Sequence, residues 1–317
     1  METTNHQAPI HIWRLIDGKP GHEKQSLGLV RALSKLRKVT YDDIKVEHSI
    51  LKQILQFLLG RFPLGKKLKN PNLIIGAGHR THFSILGAKR AYGGKSIVLM
   101  KPSLPYSFFD LCLIPMHDNP PERDNIIPTI GSLNSVGLDG PYAKTPSSHL
   151  ILIGGSSPHY VWDNIHVIDQ VKQIVKMGES NTQNWVLATS PRTPKDFVVQ
   201  LEQKLILGLK IFRFEDTHQG WIEEALTFSE NVWITPDSVS MVFEALSASC
   251  KVGLLNLGIK KTESRVVNNI KFLVREGYIS ESINLQRKNL QILKTLPNQA
   301  EICARYIESE NKIRVEL

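Results

Sequence analysis

Apolar residues in this chain gather in short runs, each followed by a glycine-bearing or small-residue turn and then by apolar positions at helical intervals. Ile10 to Ile16 is the first run and reads as a buried strand. Behind it, Ser26 to Lys38 carries Leu27, Val30, Leu33 and Leu36 at helical spacing. Asn72 to Ile75 predicts a second strand, followed by the turn Gly76 to His82 and a helix reaching Tyr92. Ser96 to Met100, Leu111 to Pro115 and Ile126 to Thr129 extend the alternation. Residues 134 to 148, with Gly137, Gly140, Pro141, Pro146, Ser147 and Ser148, predict a linker. A second alternation starts at once: strand Leu150 to Ile153, turn Gly154 to Ser157, and a helix around Ile165 to Met177. Trp185 to Ala188, Lys210 to Phe214, Val232 to Thr235 and Lys251 to Leu255 supply further strands. From Glu281 onward the tail reads as helix, and a return to the first domain is open to it.

Two βα-alternating halves predict an α/β chain of two doubly wound, parallel-sheet, Rossmann-like domains, residues 1–140 and 148–317, with a cleft between them. A length of 317 residues accommodates two domains of about 150 each. The mixture of 41% hydrophobic and 22% charged residues is that of a soluble globular protein. No run approaches the ~20 apolar residues of a spanning helix, and the polar start Met1 to Pro9 predicts no signal peptide. Cys112, Cys250 and Cys303 stand apart without metal-ligand spacing, which fits reduced thiols of a cytoplasmic protein.

A net charge of +9 calls for an anionic partner. Neither a recognition motif nor a basic face interleaved with aromatics is present, which argues against nucleic acid. Nucleotide-sugar diphosphates and an anionic membrane surface remain. Ile50 to Leu59 is an amphipathic stretch running into Arg61, Lys66, Lys67 and Lys69. Such a stripe either faces the core with a solvated basic end or lies on a membrane interface and docks a lipid-like acceptor. The second option implies a peripheral position on the inner face of a membrane.

The candidate chemistry sits in the turns that follow strands, where α/β domains bind ligands. In Asp17-Gly18-Lys19-Pro20-Gly21-His22 the glycines permit close backbone approach, and Asp17 and His22 are ionisable. Gly78 and Arg80 occupy the second such turn, and His117 and Asp118 end a later strand. In the second half, Gly154, Gly155, Ser156 and Ser157 offer backbone donors, and Arg192 a cation for a leaving phosphate. Ser238 and Ser240 stand at a helix N-terminus suited to a diphosphate, and Glu244 follows one turn later, placed to accept hydrogen bonds from a ribose. His79 and His82 lack an acidic or cysteine partner at metal-binding spacing, so neither a metal nor another cofactor is expected.

These motifs carry a resemblance. Trp13 with Asp17 to Gln25, Gly76 to Thr81, Phe109 to Leu111 with Pro115, His117 and Asp118, Gly154 to Ser157, Thr189-Ser190 with Arg192-Thr193, and Thr235 with Asp237 to Met241 occur in one order. They resemble the signature of the mitochondrial-fission family of the elongated-mitochondria type, from about residue 12 to 258. The resemblance implies, in plants, a cytosolic factor that helps recruit a dynamin-related protein to mitochondria; the family is also widespread in bacteria. Its sequences are similar in turn to GT-B glycosyltransferases, including the enzyme that attaches N-acetylglucosamine to lipid II. That likeness implies an acceptor at the N-domain glycine loop and its histidine, matched by Gly18, Gly21 and His22. It implies a nucleotide sugar held by a C-domain helix with a hydroxyl pair and a glutamate, matched by Ser238, Ser240 and Glu244. The first loop departs from an all-glycine run through Lys19 and Pro20, which narrows the acceptor approach.

The leading expectation is a metal-independent transferase moving a sugar from a nucleotide diphosphate to a hydroxyl, free or lipid-linked, with His22 or Asp17 as general base. The alternative is a non-catalytic adaptor that recruits a partner to a membrane. A dinucleotide-dependent oxidoreductase or epimerase is disfavoured, because no Gly-x-Gly-x-x-Gly follows the first strand.

Overall fold

The computed structural model describes residues 8–138, 145–177, 184–280, 290 and 292–309. It divides into two units, Met1–Leu138 with Asn298–Leu317, and Asp139–Pro297.

Unit 1 is a six-stranded parallel sheet. Its chain order runs β1 (Ile10–Ile16), α1 (Pro20–Leu36), β2 (Val39–Lys45), α2 (Ile50–Leu58), β3 (Leu73–Ala77), α3 (His82–Tyr92), β4 (Lys95–Leu99), β5 (Leu111–Pro115) and β6 (Ile126–Thr129). The spatial order is β2-β1-β3-β4-β5-β6. Side chains alternate across the sheet because successive residues of a strand point to opposite faces. Ile10 and Ile12 join Leu29, Val30 and Leu33 of α1 on one face; Trp13 and Leu15 join Phe62, Ile74 and Ile85 on the other. Trp13 is fully buried, with Tyr92 at 5.0 Å and Phe62 at 5.8 Å between ring centroids, and its Nε1 donates to the Lys69 carbonyl at 3.0 Å.

Unit 2 is a five-stranded parallel sheet. It contains β7 (Thr145–Leu152), α4 (Asn164–Met177), β8 (Asn184–Ala188), α5 (Lys195–Gln203), β9 (Leu209–Phe212), α6 (Trp221–Phe228), β10 (Ser229–Ile234), α7 (Val239–Ser247), β11 (Lys251–Leu254) and α8 (Arg265–Arg275). The spatial order is β11-β10-β7-β8-β9. Phe197, Val171, Ile174 and Leu187 are buried in its core. The last helix, α9 (Gln299–Ser309), belongs to unit 1, where Ala300, Cys303, Ala304 and Ile307 pack into the core beside α1. The α/β class and the pair of doubly wound parallel sheets are those the alternation predicts.

Several boundaries differ from the sequence reading. The helix assigned to residues 26–38 starts at Pro20, whose fixed φ suits the first helical position, so Gly21 and His22 lie in the first turn rather than in a loop. Its buried stripe is Leu29, Val30 and Leu33; Leu36 is exposed and Leu27 half-buried. Strand β2 has no counterpart in the reading, because on this sheet edge only Ile44 of Val-Thr-Tyr-Asp-Asp-Ile-Lys is buried. Helices α5, α6 and α8 were likewise not anticipated. The tail helix expected from Glu281 onward is helical, among the described residues, only over Gln299–Ser309, and residues 281–289 lie outside them. Of the expected linker 134–148, residues 139–144 lie outside the described residues as well.

Candidate functional site

In each unit the strand order reverses at one place. In unit 1, β2 lies on one side of β1 and β3 on the other; in unit 2, β8 lies on one side of β7 and β10 on the other. At such a switch point the connections leave in opposite directions, and a crevice opens beyond the strands' C-terminal ends. A polar cluster sits at each of those two places.

In unit 1, β1 ends at Ile16 and Asp17 follows, its side chain almost wholly buried. One carboxylate oxygen accepts the Lys19 N–H at 3.2 Å, which organises the entry to α1; the other faces His22 Nδ1 at 2.9 Å. With Asp17 ionised, Nδ1 carries the proton, so the lone pair is on Nε2. The imidazole lies against Gly78 at the end of β3, where φ is +80° and a Cβ would overlap the ring. That glycine is therefore required twice, by backbone conformation and by the ring. His22 thus stands half-buried, with its ring held by a buried carboxylate. Arg80 is exposed on the turn after β3. His117 and Asp118 follow β5, two strands further along the same edge, where Lys101 Nζ donates to the Asp118 carbonyl. Gly18, with φ of +81°, turns the chain out of β1, and neither it nor Gly21 has an atom within contact of an added Cβ.

His82 does not join this group. It is buried, its Nδ1 lies 3.1 Å from Ser103 Oγ, and burial lowers its pKa to about 4.

In unit 2 three turns converge at the ends of β7, β8 and β10. The Gly154 N–H donates to Thr235 Oγ1 at 2.7 Å, and the Gly155 N–H to Asp237 Oδ2 at 3.1 Å. A Cβ on Gly154 would overlap the Asp237 carboxylate, and one on Gly155 the Arg192 carbonyl. Ser190 Oγ and Thr193 Oγ1 both donate to the Gly154 carbonyl, which ties the β8 turn to the β7 turn. Arg192 Nη2 pairs with Asp237 Oδ2 at 2.9 Å; the guanidinium side is 44% exposed and the carboxylate fully buried. Burial raises the Asp237 pKa, against the lowering effects of the Thr235 hydrogen bond and of Arg192. The neighbouring Tyr160 hydroxyl is pushed up to about 12, by burial first and by the Asp237 charge second.

The cluster engages several of the expected site groups within the protein itself. The Gly154 and Gly155 N–H groups are not available as donors, since both are used inside the cluster. Arg192 is one arm of an ion pair. Ser238 occupies the N-cap of α7 without a side-chain capping bond, and Ser157 Oγ accepts the N–H groups of His159 and Tyr160 in a local turn. Ser156 and Ser240 are exposed, and Glu244 lies one turn beyond Ser240 on the half-buried face of α7. The first-turn N–H groups of α7 have no intrahelical acceptor, as at every helix start. Sequence reasoning singled out neither Thr235 nor Asp237 as a site residue. The available signal was a carboxylate set between a strand end and a helix start, opposite a Gly-Gly pair.

Known structures share this architecture. A Listeria monocytogenes protein provisionally assigned as a UDP-N-acetylglucosamine 2-epimerase superposes with a TM-score of 0.59, at 13% identity, over 96% of each chain. The UDP-GlcNAc 2-epimerase of Neisseria meningitidis, bound to UDP-GlcNAc, gives 0.51 at 11% identity, over 95% of this chain and 99% of its own. MurG of Acinetobacter baumannii gives 0.50 at 14% identity, over 95% and 100%. At these identities the likeness is one of fold, and the fold is GT-B-like. In sequence, the uncharacterized protein RP120 of Rickettsia prowazekii (strain Madrid E) is 23% identical, over 75% of this chain and 81% of its own. A family match spans residues 20–310, and the chain belongs to the family described as Mitochondrial fission ELM1.

Proposed function

We propose that this protein is a GT-B-type glycosyltransferase that moves a sugar from a nucleotide diphosphate to a hydroxyl acceptor. The observation that carries the reading is the Asp17–His22 pair, a histidine oriented by a buried carboxylate at a switch point. The acceptor hydroxyl gives its proton to His22 Nε2 as its oxygen bonds to the anomeric carbon. The bond from that carbon to the diphosphate oxygen breaks, and the nucleotide leaves with the electron pair. Asp17 stabilises the imidazolium that results.

Unit 2 holds the donor in this reading. The start of α7 with Ser238 and Ser240 receives the diphosphate, and Glu244 receives the ribose hydroxyls. Arg192, steered by its pair with Asp237, meets the charge that develops on the leaving group. The fold relatives named for UDP sugars make a uridine diphosphate donor the first to test. In a donor-turnover assay, His22→Ala is expected to lower the rate roughly 10²–10⁴-fold with nucleotide affinity unchanged. Near-normal turnover in a folded His22→Ala protein would exclude this base.

A second reading, a recruitment adaptor without catalysis, is favoured by one observation: the apolar face of α2 is turned outward. A wild-type protein that turns over no nucleotide sugar and binds no nucleotide would establish that reading instead.

A further inference from the structure

Helix α2 is inverted relative to an ordinary surface helix. Its polar Gln53 is 1% exposed and anchored by donation from Nε2 to the Glu47 carbonyl at 2.6 Å. Phe57 packs beside Phe83 of α3, with the Arg90 guanidinium over its ring. Leu51, Leu55, Leu58 and Leu59, spaced to share one face, are 78%, 56%, 60% and 57% exposed, and Leu64 beyond the helix is 39% exposed. Amphipathic helices of soluble domains turn such residues toward the core, so a contiguous outward stripe marks an interaction surface. Arg61, Lys66, Lys67 and Lys69 stand exposed immediately after it, and among the described residues none of the four has a carboxylate within ion-pair distance.

We propose that this face docks on an anionic phospholipid bilayer. The leucines enter the boundary between headgroups and acyl chains, and the four cations meet lipid phosphates. Charge selects this occupant over a second copy of the chain. A self-contact through this face would set the uncompensated cations of one copy against those of the next, in a chain of net charge +9. Helix α2 starts just past the end of β2, at the sheet edge that also carries Asp17 and His22, so docking brings that edge within a helix length of the headgroups. The surface does not depend on the sugar-transfer reading, and an adaptor would use it equally.

The test is sedimentation of the full chain with vesicles of phosphatidylcholine alone or mixed with phosphatidylglycerol. The protein is expected to pellet with the anionic vesicles at low salt, to be released at high salt, and to ignore the neutral ones. Replacing Lys66, Lys67 and Lys69 together by Gln should weaken partitioning on the order of a hundredfold, at about fivefold per cation. Leu55→Ser with Leu58→Ser should abolish pelleting while the protein still unfolds in one cooperative transition, because both side chains are more than half exposed. Retention of the wild type in the supernatant, or undiminished pelleting of both variants, overturns the proposal. So does a wild type that elutes as a dimer by size exclusion while the double Leu→Ser variant elutes as a monomer, which would identify a second copy as the occupant.

Discussion

A buried carboxylate such as Asp237 costs stability unless something answers its charge, and here the answer is incomplete. Oδ2 receives the Gly155 N–H and Arg192, and Thr235 adds a hydrogen bond, yet burial still lifts the pKa above its ordinary 3.8. A folded-state pKa above the unfolded one means the native state binds more protons, so stability falls as pH rises from the ordinary carboxylate range toward neutrality. Asp237→Asn is therefore expected to melt higher than the wild type at pH 7, with the difference shrinking to nothing below about pH 4. Paired melting curves across that range check it. The same variant should lose donor turnover, because Arg192 loses its anchor. A residue whose ionised form weakens the fold is more readily explained by function than by packing.

At the scale of elements, legibility followed burial. Strands β1, β3 and β5 are buried almost throughout and largely apolar, and they declare themselves in sequence, since both faces of a parallel sheet are covered. Strand β2 does not, because at a sheet edge most of its side chains meet water. The Asp17–His22 turn was recognisable from its residue types, but its hydrogen-bonded geometry depends on Pro20 starting α1 and on Gly78 arriving from β3, which no local pattern encodes. The Gly154-Gly155 turn looked like a donor loop because glycines suit that role; contact with Asp237 and Arg192 gives them another reason. Helix α9 shows the same dependence on distant partners. Ile307 is 1% exposed against the core of unit 1, so Ile307→Ala should destabilise that unit by about 2–5 kcal/mol. Urea unfolding followed by Trp13 fluorescence, with the other tryptophans replaced, would read it.

For the whole molecule, two doubly wound sheets each carry a polar cluster at the reversal of strand order, a placement that the GT-B-like fold permits but does not compel. No described helix is long and apolar enough to cross a membrane. The central claim is that unit 2 receives a nucleoside diphosphate at Arg192 and the start of α7. Isothermal titration of the wild type and of Glu244→Ala with UDP, and with GDP, ADP and CDP alongside, tests it most directly. The account predicts saturable binding of one diphosphate by the wild type and a loss of about 1–3 kcal/mol in Glu244→Ala, from the missing charged hydrogen bonds to the ribose. A wild type that binds none of the four nucleotides, or a folded Glu244→Ala protein with undiminished affinity, would contradict it.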